Sequence, residues 1–164
     1  ELLLQAEENS DTTIYDTCGF GDSNKAWGVW APFVSSHNMK KGIYELCKRY
    51  PAHEYASMYC QKALNLNYGP AWYDDGFHHL NNGREKEALA SFGKAIQSGD
   101  LSDTQTVKIT ENLANIYLND KSELYNERKS IKNTSNKKLN DNSSDFHYAI
   151  NAFSSKSFNL KSNW

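Results

Sequence analysis

No apolar run in the sequence approaches the roughly eighteen residues that a membrane-spanning helix needs, so no transmembrane segment is expected. Charge of one sign is also lacking. Eighteen basic residues against twenty acidic ones leave a formal net charge of -2, too little for a global field that would draw the chain to nucleic acid or an anionic surface. No GxSxG elbow, phosphate-binding P-loop or GxGxxG turn occurs, which removes the short motifs that mark nucleophilic hydrolases and nucleotide-binding folds. The three cysteines, Cys18, Cys47 and Cys60, have no CxxC spacing, so neither a metal knuckle nor a thioredoxin-like pair is supported. The first residue is not Met, and Glu1 followed by three leucines reads as a mature or trimmed start rather than a signal peptide.

What is present is a modest, aromatic-rich core. Hydrophobic residues make up 38% of the chain and aromatics 13%, against a mean hydropathy of -0.77, which leaves much of the surface in water. The length of 164 residues fits one compact domain or a short stack of hairpins. Residues 1–36 mix glycine punctuation (Gly19, Gly21, Gly28) with bulky rings (Trp27, Trp30) and read as an irregular N-terminal cap, with a short helix around Asn24 to Trp30. From Asn38 to Tyr50, and again from Glu54 to Leu66, apolar residues recur at three and four positions, the spacing of one helical face. Pro51 separates the two helices, and Gly69 with Pro70 is expected to stop the second. A further antiparallel pair, Ala71 to Leu80 and Arg84 to Gln97, is divided by Asn81, Asn82 and Gly83. A third, from Thr104 to Leu118 and Ser122 to Lys132, has a weaker second helix. Residues 133–164 begin as a polar Asn/Ser/Lys linker, expected to be flexible because it cannot bury enough apolar area. They end in an aromatic tail that includes Phe146, Phe153 and Trp164.

Within this pattern Ala71, Trp72, Gly76, Leu80, Gly83, Ala88, Phe92 and Ala95 together resemble a single tetratricopeptide repeat. That arrangement sets an aromatic early in the first helix, a small residue a turn later and a glycine at the turn. Small, aromatic and small residues then follow in the second helix. Ala56, Cys60, Lys62 and Ala63 stand thirty-two residues before Ala88, Phe92, Lys94 and Ala95 and form a fainter copy. The Sel1-like repeat, which also builds antiparallel helix pairs, is an alternative for the same stretch. His79 and Asp100 depart from the pattern, standing where a larger apolar residue and a proline are usual. The resemblance implies an all-α fold, a short α/α superhelix of hairpins over 37–132. Gly76 and Ala88 would stand where two helices cross closely, with Phe92 filling the space between them.

The resemblance also implies function: a non-catalytic protein-interaction module, a scaffold or adaptor, that takes a protein partner on its concave face and aromatic tail. An obligate hetero-complex is compatible with so few strong repeats. Tyr73, Asp74, Phe77 and Trp164 are the expected partner-binding residues. An immunity protein that neutralises a cognate toxic enzyme is the alternative, and a small hydrolase a distant third. No cofactor, metal or nucleic acid is expected. His78 and His79 are neighbours about 100° apart on a helix and cannot both face one ion, so His79 is expected as a packed ring and His78 at the surface. Asp74, Asp75, Glu85 and Glu87 read as solvated helix-end charges rather than paired catalytic carboxylates.

Placing a tight turn at Pro51 offsets Cys47 from Cys60 by roughly 7 Å along the helix axes, so that pair is not expected to bond easily. A disulfide would then join Cys18 to Cys47 or Cys60, clamping the cap at about 2–4 kcal/mol, and would go with an exported, for instance periplasmic, setting. Three buried thiols in a cytoplasmic protein is the other arrangement, and the exported one is favoured.

Overall fold

The computed structural model describes residues 2–8 and 13–118, and among these the chain is mostly helical with no strand, in agreement with an all-α reading. The second helix of the third pair, the polar linker and the tail with Trp164 lie outside the described residues. The chain divides into two compact units, Glu1–Ala71 and Trp72–Trp164.

In the first unit, α1 (Leu2–Glu8) and α2 (Thr13–Thr17) precede a helical run made of α3 (Ser23–Lys25), a π-helical segment (Ala26–Trp30) and α4 (Ala31–Ser36). The turn over 18–22 and the helix from Ser23 agree with the turn and short helix expected around Asn24 to Trp30; the helical run goes further than expected, to Ser36, and α2 is an added helical turn within the cap segment. Only Gly19, with φ +87°, uses glycine's left-handed freedom to turn the chain; Gly28 lies inside the π segment. Asp22 starts the run, its Oδ1 accepting the Asn24 and Lys25 amides at 2.9 and 3.2 Å. Pro32 then stands near the start of α4, where it has no N–H for the carbonyl four residues back. The ladder widens just before it, and the Ala31 amide reaches Ala26 O, five residues back.

This segment supplies much of the unit's core, with Leu3, Tyr15, Phe20, Ala26, Ala31 and Val34 all buried against Ile43 and Leu46. Those last two lie on α5 (Lys40–Arg49), which pairs with α6 (Ala56–Asn65). The two helices match the expected periodicity with slightly shorter ends. Two tyrosine hydroxyls tie the pieces together: Tyr50 donates to Phe20 O, and Tyr59 to Ala31 O at 2.9 Å. Trp27 stacks on His53 at 4.0 Å and meets Tyr59 edge-on at 5.1 Å, which holds the α5–α6 loop against the π segment.

The disulfide differs from expectation: Cys47 bonds to Cys60, with Cα atoms 5.3 Å apart, and Cys18 stays a half-buried thiol. The turn is longer than one placed at Pro51 alone. α5 ends at Arg49 and α6 begins at Ala56. Cys47 therefore lies two residues inside one helix end and Cys60 four inside the other, an axial offset of only about 3 Å.

The start of α5 has no side-chain cap of its own, since Met39 offers none. Glu7 of α1 supplies it, its carboxylate accepting the Lys41 amide at 3.0 Å and the Gly42 amide at 3.4 Å. Tyr15 adds a hydroxyl to the same carboxylate at 3.3 Å. Tyr15 is fully buried, and its hydroxyl is held protonated far above the usual tyrosine range, first by burial and then by Glu7.

The second unit holds α8 (Glu85–Ser98), α9 (Asp103–Leu118) and most of α7 (Gly69–Asn81), since the division falls within that helix. Pro70, expected as a stop, occupies the first turn of α7, where a missing N–H costs nothing. Gly83 (φ +72°) turns the chain between α7 and α8, and Gly99 (φ +76°) ends α8 in the left-handed conformation. Ser102 and Gln105 form a reciprocal cap on α9: Ser102 Oγ takes the Gln105 amide at 3.2 Å and Gln105 Oε1 the Ser102 amide at 3.1 Å. Among the described residues of the unit, Ala88, Phe92, Ala95, Ile109 and Leu113 form a buried core cluster.

Candidate functional site

Of the repeat and contact residues singled out from the sequence, all but Trp164, which lies outside the described residues, stand on α7, on α8 or in the turn between them. Gly76 is buried where these helices approach, and a Cβ there would lie 2.4 Å from Phe92 Cε1 and 2.5 Å from Cδ1. Phe92 is fully buried, with the Phe77 ring edge-on at 5.0 Å. Ala88 and Ala95, one turn on either side of Phe92, are also fully buried. Small residues around one large ring let two antiparallel helices interlock, since a bulkier side chain at Gly76 would compete with the ring for the same volume.

Trp72 is half-buried against this core, and Lys94 places its ammonium 4.0 Å from the centre of the indole ring. Tyr73 lies 4.7 Å from Phe77, centroid to centroid, and both rings are partly buried against the same core. Burial, with the neighbouring Asp74 carboxylate second, raises the Tyr73 hydroxyl above its ordinary value and keeps it neutral. Asp74 is exposed. Of the expected contact residues on α7, then, Asp74 is exposed while Tyr73 and Phe77 divide their area between core and solvent.

Asp75 does not behave as a solvated helix-end charge. Its Oδ2 accepts Ser91 Oγ from α8 at 2.6 Å and lies 3.3 Å from Nε2 of His79, one turn along α7. Ser91 is only 4% exposed, so this hydrogen bond fixes the sliding register of the two helices from inside. The three side chains do not form a nucleophile relay. Ser91 donates to the carboxylate instead of to an imidazole, whereas activation would require the histidine to stand between them. His78 is exposed and His79 mostly buried, in keeping with their angular separation, and His79 Nδ1 has no hydrogen-bond partner. Among the described residues no group of three His, Cys, Asp or Glu side chains is placed to hold a metal ion, and no helix is long and apolar enough to cross a membrane.

The Asp75–Ser91 link was hidden in the sequence because it joins positions sixteen residues apart on two helices. A faint signal existed, since Asp75 and His79 share one helical face that the Gly76–Phe92 interlock turns toward α8. Comparison with family models, with curated proteins and with solved structures finds no match.

Proposed function

We propose that the α7–α8 hairpin is one unit of a short α/α superhelix of the tetratricopeptide or Sel1-like kind, and that the chain is a non-catalytic module that binds a protein partner. The observation that carries this reading is the interlock of Gly76 with Phe92 between Ala88 and Ala95, the packing that the repeat pattern requires. In repeats of this kind the first helix of each pair lines the concave face. Here that helix is α7, which presents exposed Asp74 beside the partly exposed rings of Tyr73 and Phe77. Half-buried aromatics next to an exposed carboxylate suit recognition, because the rings are already held by the core and lose little freedom when covered.

The test is affinity capture with the full chain, its Asp74→Lys variant and its Tyr73→Ala variant, each first shown by circular dichroism to keep its helix content. The reading expects a partner that is retained by the parent and lost with both variants. Capture that is indifferent to both substitutions would exclude this face as the binding surface.

A further inference from the structure

α6 is seated chiefly on α5, with Cys60 and Leu64 half-buried against the same core as Tyr59 and Ala63. It buries only Ala56, Tyr59 and Ala63, two of which carry no more than a methyl group, while Met58 on the same helix is 59% exposed. Two polar links help to seat it: Tyr59 donates to Ala31 O at 2.9 Å, and Lys62 Nζ to Ser35 O at 2.8 Å. A further tie is covalent. Cys60 joins it to Cys47 of α5, which is itself 5% exposed and part of the buried core.

We propose that the Cys47–Cys60 bond is a redox-conditioned clasp that seats α6, with Cys18 kept out of the pairing, so that this unit is built for surroundings in which disulfides persist. The choice of partner has a physical basis. Cys47 and Cys60 are separated by 13 positions, and loop-closure entropy favours that shorter loop over the longer ones that would include Cys18. The folded chain then reinforces the choice, because α5 and α6 present the two Cα atoms 5.3 Å apart. Cys18 is held elsewhere, its carbonyl oxygen accepting the Trp30 indole N–H at 2.7 Å.

Closing the bond takes two electrons and two protons from the two thiols, and a disulfide oxidant such as glutathione disulfide accepts them to become two thiols. Opening runs through the more accessible sulfur. A dithiol reductant's thiolate bonds to Cys60 Sγ and expels Cys47 as thiolate. The reductant's second thiolate then attacks its own sulfur in the mixed disulfide, which releases Cys60 and leaves the reductant oxidised. Cys60, half-buried where Cys47 is buried, is the sulfur that an incoming thiolate meets first.

The experiment uses the full chain refolded in a glutathione redox buffer, with Cys18→Ser and the double variant Cys47→Ser/Cys60→Ser beside it. Peptide mapping without reduction should return one linked pair that contains Cys47 and Cys60, with Cys18 open to alkylation. Dithiothreitol should lower the melting temperature of the parent and of Cys18→Ser by roughly 10–20 °C, and speed amide exchange most in α6. The double variant should melt at the lower temperature with or without reductant. A linked peptide containing Cys18 would overturn the proposal. So would a parent whose melting temperature stays fixed when alkylation proves the bond fully reduced, or a response that vanishes in Cys18→Ser.

Discussion

Gly76→Ala isolates the close approach between α7 and α8. The added methyl would start 2.4 Å from Phe92 Cε1, 2.5 Å from Cδ1 and 3.1 Å from Cζ, and the ring it meets is fully buried with Phe77 against it. Phe92 cannot swing into solvent, so either the ring leaves its rotamer or the helices separate, an overpacking cost of about 1–3 kcal/mol. Alanine is also the better helix former, by about 1 kcal/mol over glycine in a helix interior, which masks part of that cost. Gly93→Ala provides the correction. Gly93 lies inside α8, where a Cβ would meet nothing within 4 Å, so it carries the propensity gain alone. The difference between the two variants is therefore the steric term, and Gly93→Ala should be the more stable by about 1–3 kcal/mol. Urea unfolding followed by circular dichroism gives that difference, and amide exchange in α7 and α8 locates it. Equal stabilities for the two variants would refute the reasoning. Adding Phe92→Leu to Gly76→Ala, by contrast, should make the alanine less costly than it is beside Phe92.

Glu7→Ala should cost about 1 kcal/mol by removing the cap of α5, with faster amide exchange at Lys41 and Gly42, the two amides it accepts. Alkaline stability should depend on Tyr15. Folding raises its pKa, chiefly by burial, so the folded chain keeps a proton that the unfolded chain gives up. Its contribution is complete below about pH 10 and is lost as pH climbs from there toward the folded value. Urea titrations between about pH 8 and pH 11 should show a decline in stability that is shallower in Tyr15→Phe; parallel declines would count against the assignment.

Where burial alternates at three and four residues, the sequence is a good guide. Ile43, Leu46 and Cys47 mark α5, and Ala88, Phe92 and Ala95 mark α8, and both helices end within two residues of their expected limits. The break expected before Pro70 is present, but it is shorter than expected because Gly69 and Pro70 already belong to the next helix. Gly28 is accommodated in a π turn and Pro70 in a first helical turn, and neither setting can be told from the residue alone. Glu7 capping α5 from another helix, and Asp75 reaching Ser91, are contacts between distant positions that no local pattern encodes. The cysteine pairing turned on loop length: a few more residues of turn at 50–55 brought Cys47 level with Cys60. In the candidate site, the packing residues Gly76, Ala88 and Phe92 were legible, because small and large side chains must alternate wherever helices cross.

The claim that α7 meets a protein partner is tested most directly by placing a photo-crosslinking amino acid at Asp74, with a control at Gln97, an exposed position on α8. After irradiation in the native host, the account predicts a discrete protein adduct from position 74 that is absent from position 97. No adduct at 74, or the same adduct in equal yield from both positions, would contradict it.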